Sequence, residues 1–370
     1  MLIGFSYSGY KSLCLDPALP VRVFLAMERP LIVFGTPDPH VEIWKYMPDI
    51  DLMVNAILWR WRRPHVNRLW IDSGGYQIMV KGLRVRIDDI IAKYRSIDAD
   101  VYMSLDTPPK HPCLASKELI DDNVRRFEYL YTKLEDKKII PVIHCYPPEL
   151  IIYALEKYEV YGVDMIAYGG AVPPTMGRCG RRSRFLPILG LALLRKAFNG
   201  WIHALGIGGT CATYCAMKAL GVDSFDSSSW RVKAAYGKII VPGLGERYVG
   251  NGRAKFGRKD LSEEEYVILE EALRRSKFPL VDRLGELLST FQGRALINAW
   301  IVRHYPNVLS PRNGLRWMVR FAEDLASMSI DEVYRTMEQF VKENIESIRA
   351  STIELPAGIA MPVEVVGESV

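Results

Sequence analysis

KIIPVIHCYPPELIIYALEKYEVYGVDMIAYGG, residues 138–170, sets two apolar, β-prone runs (138–144 and 164–170) around a segment with helical spacing, ELIIYALEKY. The same alternation extends in both directions. Upstream lie PLIVFGT (30–36), RLWIDSG (68–74) and DVYMSLD (100–106); downstream lie WIHALGIGG (201–209), DSFDSSS (223–229) and KIIVPG (238–243). Between them, IDDIIAKYRSI, KELIDDNVRRFEYLYTKL and TCATYCAMKAL also have helical spacing. Eight β-prone runs alternating with helices predict an α/β fold, a (β/α)8 TIM barrel, which takes about 250 residues. The other candidate, a doubly wound open sheet, usually carries a Gly-rich dinucleotide turn after its first strand, and none follows PLIVFGT.

Past residue 255 the pattern becomes wholly helical. Ser262 to Glu265 and Ser329 to Glu332 form capping boxes that open amphipathic segments, with a third helical stretch around LINAWIVRHY. The expected organisation is a barrel over 1–254, a C-terminal helical appendage over 255–350 and a tail over 351–370.

Composition limits the setting. The chain has 370 residues, 49% hydrophobic and 25% charged, enough for one large domain and a smaller one. No apolar run approaches the ~20 residues that cross a bilayer, and MLIGFSYSGYKSLCLDPALP lacks the layout of a secretory signal. The expectation is a cytoplasmic protein with no membrane partner. Cys14, Cys113, Cys145, Cys179, Cys211 and Cys215 are scattered without a C-x-x-C pair, so neither a disulfide framework nor a metal site is expected. The net charge of +5 is a mild bias toward polyanions, concentrated in WRWRRPHVNR (59–68) and RCGRRSR (178–184). Arg interleaved with Trp suits phosphate neutralisation and base stacking. Equally, Trp59 and Trp61 could pack a helix whose arginines face water.

In a barrel the active site lies at the C-terminal ends of the strands. The residues that close the runs are Asp72, Asp106, His144, Gly169, Gly170, Gly208, Gly209 and Asp226. An Asp after a strand is often a helix cap, and Gly-Gly often a turn; convergence of so many on one rim argues for a pocket. Two acids, one a nucleophile and one an acid/base, can exchange a glycosidic bond through a covalent intermediate. A third, Asp106, can accept two parallel hydrogen bonds such as guanine's N1–H and amino group offer. Glycine amides at 169–170 leave room for a carbonyl oxygen.

On these residues the chain resembles the queuine-type tRNA-guanine transglycosylases. DSGGYQ (72–77) is similar to the family's signature at the end of its second barrel strand, and VYMSLDTPP, IIPVIH, AYGGAV, ALGIGG and GVDSFD follow in the family's order across roughly residues 30–245. The resemblance implies Asp226 as the nucleophile at C1′ and Asp72 as the acid that protonates the departing guanine, then the base for its replacement. It implies Asp106 as reader of the purine edge, the backbone of Gly169, Gly170 and Ala171 as receiver of its O6 side, and Tyr76 as an aromatic face. Ser73, Gly74, Gln77 and His144 complete the implied base pocket, His144 standing where the family has Gln. No cofactor is implied, because the covalent intermediate conserves the bond energy.

The chain departs from the family in lacking the zinc motif, C-x-C-x-x-C then His: no Cys follows 215, and Arg312 occupies the His position in SPRN. FDSSSW (225–230) is similar to a branch that inserts 7-deazaguanines into DNA. The implied partners are therefore a guanine or 7-deazaguanine base and a polymer, DNA ahead of tRNA. The family's tRNA members form dimers through zinc regions, so a homodimer and an accessory subunit both stay open. Two other readings compete: a non-catalytic nucleic-acid-binding partner subunit, which should have lost a catalytic acid, and an unrelated sugar-phosphate barrel, which leaves DSGGYQ unexplained.

Overall fold

A computed structural model describes residues 30–83, 85–109, 112, 115–171, 184–250, 258–308 and 314–350, without the side chains of Tyr76, Met79, Val80 and 344–350. Nine parallel strands are β1 (Leu31–Thr36), β2 (Asp51–Asn55), β3 (Arg68–Asp72), β4 (Val101–Met103), β5 (Ile139–Ile140), β6 (Val142–His144), β7 (Met165–Gly169), β8 (Trp201–Ala204) and β9 (Ser224–Ser227). Their order is β5-β4-β3-β2-β1-β9-β8-β7-β6. β5 and β6 are one run interrupted at Pro141, which has no N–H to give to a ladder. β5 pairs with β4 and β6 with β7, while the Pro141 carbonyl accepts from Ala167 N–H at 2.9 Å, so the sheet closes through 138–144 into a TIM-like barrel.

Membership of the barrel differs from the expectation in one exchange. DLMVN (51–55) is a barrel strand, buried along its whole length between β1 and β3. Its acidic and amide ends hide it from a reading of apolar runs, and no helix separates it from β3. DSGGYQ consequently closes the third strand in chain order. KIIV (238–241), expected as the eighth strand, is instead β10, paired antiparallel with β11 (Gly245–Tyr248) outside the barrel. The short turn between them passes Gly243 and Gly245 at φ of 72° and 84°, a reversal only an antiparallel pair can use.

Alternation along the strands divides the core. Val33, Met53, Trp70, Met103, Val142 and Ala167 belong to a cluster filling the barrel, while the residues between them, among them Phe34, Leu52, Ile71 and Ile166, meet the surrounding helices. Below this plug, fully buried Asp51 accepts from Asn67, Arg68 and Trp70 at 2.7–2.9 Å.

The outer layer comprises α1 (Gly75–Lys81), α2 (Ile87–Ser96), α3 (Lys117–Lys133), α4 (Pro148–Glu159), α5 (Leu186–Ala197), α6 (Cys211–Leu220) and α7 (Ser229–Ala235). The C-terminal segment supplies α8 (Glu263–Arg275), α9 (Leu284–Ser289), α10 (Phe291–His304), α11 (Arg316–Ser327) and α12 (Ile330–Ala350). Both expected capping boxes are present. α10 packs on α7 and β10, α11 on α6, and α12 on α5, and their apolar residues join the cluster that surrounds the barrel. Among the described residues no helix is long and apolar enough to cross a membrane. The tail over 351–370, Cys14, Cys113 and Cys179 lie outside the described residues.

Candidate active site at the C-terminal mouth of the barrel

Two residues above the apolar plug, the same inward-facing positions turn polar. Met53 is succeeded by Asn55, Trp70 by Asp72, Val142 by His144, Ala167 by Gly169, and Ser224, level with the plug, by Asp226. Period-two geometry therefore delivers these groups to one mouth. Asp106 reaches it from the loop after β4. That loop is held by α3: Asn123 accepts from Thr107 N–H at 2.8 Å and donates to its carbonyl at 3.1 Å, and Arg126 donates to its hydroxyl at 2.6 Å.

Asp72 is partly open to solvent through the mouth yet crowded by protein. Loss of hydration raises its pKa most, the Asp106 charge adds to this and Asp226 adds less; the total pushes it up to about 7. Two donors oppose the rise: Gly74 N–H at 3.2 Å and the Asn55 amide at 3.0 Å. Asn55 is itself fixed, since its side-chain oxygen accepts from Ile57 and Leu58 N–H at 3.0 and 3.3 Å. Gly74 starts α1 at φ 86°, the left-handed region that lets the chain turn directly over Asp72.

Asp106 is buried. Ser73 donates to its Oδ1 at 2.9 Å, and His144 Nε2 lies 3.0 Å from Oδ2, at ion-pair distance but without hydrogen-bond alignment. Each carboxylate oxygen keeps lone-pair capacity for an incoming donor. Glycine is needed where the chain passes these groups. A Cβ on Gly75 would lie 2.5 Å from the Asp106 carbonyl oxygen and 2.9 Å from both carboxylate oxygens, and one on Gly169 would lie 2.8 Å from His144 Nδ1. Gly170 follows at φ 68°, and Ala171 is fully buried.

Asp226, the next-to-last residue of β9, accepts from Gly206 N–H at 2.7 Å through Oδ1, with His203 Nε2 3.6 Å from the same oxygen. Gly209 brings the β8 loop against Ser227 and Ser229, where a Cβ would lie 2.4 and 2.6 Å from their hydroxyl oxygens. Trp230 of the SSSW run is buried and donates to the Gly35 carbonyl at 3.2 Å, anchoring α7 beneath the rim; it offers no free stacking face.

The structure thus brings Asp72, Ser73, Gly74, Asp106, His144, Gly169, Gly170, Ala171 and Asp226 to the strand ends around one mouth. Gln77 is partly buried in α1 with its amide oxygen unpartnered. Tyr76 lies in the first turn of α1, its side chain outside the described residues. Asn55 and His203 carry no comparable signal in the sequence: the first sits on a strand whose polar ends mask it, the second inside a run marked by its glycine end. The WRWRR stretch forms a loop, with Trp59 buried against Trp61 at 5.1 Å and Arg60, Trp61 and Arg62 exposed. Of RCGRRSR only Arg184 is among the described residues, and SPRN at 310–313 lies outside them.

A cavity of about 260 Å3 lies between α6, α7, the β10–β11 hairpin and α10, reaching the β8 loop at Gly209. Its charged lining groups, Lys233 and Glu246, neutralise one another at 3.4 Å. It contains none of the strand-end acids.

Uncharacterized protein 306 of Sulfolobus islandicus rod-shaped virus 1 is 30% identical to this chain over 304 residues, which span 78% of this chain and 88% of the viral protein. The chain belongs to the protein 306 family. No family model matches it. Among solved structures, nitroalkane oxidase from Streptomyces ansochromogenes aligns over 87% of this chain and 97% of its own at 11% identity, with a TM-score of 0.30. A likeness that loose carries no argument, so the chemistry of this protein 306 relative rests on its own mouth.

Proposed function

We propose that the protein is a base-exchange transglycosylase that replaces guanine in a nucleic acid with a 7-deazaguanine. The observation that carries this reading is the set of three carboxylates at one mouth, with Asp72 held near neutrality. A base-exchange cycle needs a group that gives a proton at one step and takes one back at the next, and a pKa near the working pH serves both.

Asp226 attacks C1′ as the bond from C1′ to the base nitrogen breaks, forming a glycosyl ester, and protonated Asp72 gives its proton to the departing guanine. The incoming base then surrenders its ring N–H proton to Asp72, its nitrogen attacks C1′, and Asp226 leaves as carboxylate. Each step forms one bond and breaks one, so no external energy source is needed. Asp106, held by Ser73 beside His144, offers a bidentate acceptor to N1–H and the exocyclic amine of either purine. The target nucleotide must leave its stack for C1′ to reach Asp226.

DNA is the preferred polymer on the FDSSSW resemblance, with tRNA as the competing one. Purified protein incubated with guanine-containing DNA or tRNA and labelled guanine is expected to transfer label into one of them. Asp226→Asn should abolish transfer and the denaturation-resistant protein–polymer adduct. If neither polymer takes up label while the protein is folded, the reading is wrong.

A further inference from the structure

The mouth contains a buried group that the exchange cycle leaves unused. His203 faces inward from β8, fully buried, its ring tilted against Trp70 at 4.7 Å between centroids. Its Nδ1 is 2.8 Å from Ser224 Oγ on the adjoining strand, where the two residues are register partners. Ser224 Oγ also accepts from Trp201 Nε1 at 2.8 Å. His203 Nε2 has no hydrogen-bond partner and lies 3.6 Å from Asp226 Oδ1.

We infer that His203 is a positioning residue for Asp226, held as the neutral tautomer with its proton on Nε2 and directed at the carboxylate. An indole N–H can only donate, so the contact with Trp201 uses a lone pair of Ser224 and leaves its hydroxyl proton free to point at Nδ1. With Nδ1 accepting, the ring proton resides on Nε2, facing an acceptor. The opposite tautomer would turn Nδ1–H onto an oxygen already receiving Trp201, strand the Ser224 proton, and set the Nε2 lone pair against a carboxylate. Two mismatches in a buried site cost more than none. The ring itself is packed against Trp70 and the apolar plug, with Asp226 as the acceptor it faces.

At 3.6 Å the contact is longer than a hydrogen bond; catalytic contacts commonly tighten when substrate enters. Gly206 N–H and His203 both address Oδ1, which leaves Oδ2 as the oxygen that attacks. The catalytic consequence rests on the base-exchange reading, whereas the tautomer does not, so the two can fail separately.

The test is nitrogen-15 NMR of the histidines in the full-length protein, with the His203 signals assigned by their loss in His203→Gln. The expected pattern is a neutral ring with Nε2 protonated, which Ser224→Ala converts to a tautomer mixture. An Nδ1-protonated ring or an imidazolium at neutral pH would overturn the inference. In the exchange assay, His203→Leu should slow formation of the Asp226 adduct by about 10- to 100-fold, the value of one hydrogen bond to a charge, with little change in KM for guanine. His203→Gln, which keeps a donor, should recover part of the rate. Equal rates in both variants and wild type would equally overturn the positioning role; absence of exchange in wild type with the expected tautomer would count against the base-exchange reading alone.

Discussion

Asp72 carries a burial penalty that is both its chemistry and a cost to the fold. Its pKa of about 7 in the native protein lies above the ordinary carboxylate value of 3.8 expected when unfolded. Below about pH 4 both states hold the proton and stability is unaffected. Between about 4 and 7 the native state keeps a proton that the unfolded chain releases, so stability falls as pH rises, and above 7 the full penalty persists. Asp72→Asn, which retains an acceptor for Asn55, should therefore raise the melting temperature at pH 8, with the gain vanishing near pH 4; scanning calorimetry across that range measures it. The same variant should bind polymer with little turnover, and the wild-type rate profile should inflect near pH 7, as expected of a single acid/base group. At this scale Asp72, Asp106 and Asp226 were legible as carboxylates closing apolar runs. Their assistants were not: Asn55 and His203 matter because of the strand beside them, which linear order does not display.

At the scale of single elements, α1 shows how a helix start shapes a pocket. DSGGYQ turns from β3 into α1 over Gly74 and Gly75, and the second glycine clears Asp106 where its backbone is not left-handed, so the demand there is purely steric. Gly75→Ala should displace the Asp106 loop, raise KM for guanine more than tenfold and destabilise by about 1–3 kcal/mol, the usual cost of overpacking. Gly82, at the other end of α1, has nothing within 4 Å of its would-be Cβ, so Gly82→Ala tests backbone strain without touching the pocket. Guanine titration and chemical denaturation of the two variants separate these causes. The exchange of DLMVN for KIIV in the barrel is the element-level lesson. Apolar periodicity marks a strand but not its partner: Asp51 and Asn55 are tolerated because neighbouring strands satisfy them, and KIIV is sent outside by its glycine turn.

Across the whole molecule, the C-terminal helices are joined to α7 and to the β10–β11 hairpin by polar stitches as well as apolar contact. Asn298 of α10, fully buried, donates to the carbonyls of Trp230 and Lys238 at 3.0 Å and accepts from Ile240 N–H at 2.7 Å. Arg247 of β11 grips Glu265 of α8 with two bonds of 2.5 and 2.6 Å, and this contact leads the lowering of the Glu265 pKa to about 2. Asn298→Ala removes three hydrogen bonds to backbone groups, and a buried group left unpaired costs about 1–3 kcal/mol. It should shift the denaturation midpoint substantially while α8–α12 and the barrel still unfold in one transition, because they share one apolar cluster. Two separated transitions, read by circular dichroism, would contradict that coupling.

The amino-acid sequence by itself determined the α/β barrel class, the wholly helical C-terminal stretch with its two capping boxes, and the acids at the strand ends. Each of these is local: strand period, helix period and cap spacing are written within a few consecutive residues. Only the tertiary structure decided which runs enter the barrel, how the helices cover its flank, and that Asp72 is held near neutrality with Asn55 and His203 beside the acids. Those properties depend on desolvation, strand register and neighbouring charges, which arise only when residues far apart in the chain are brought together.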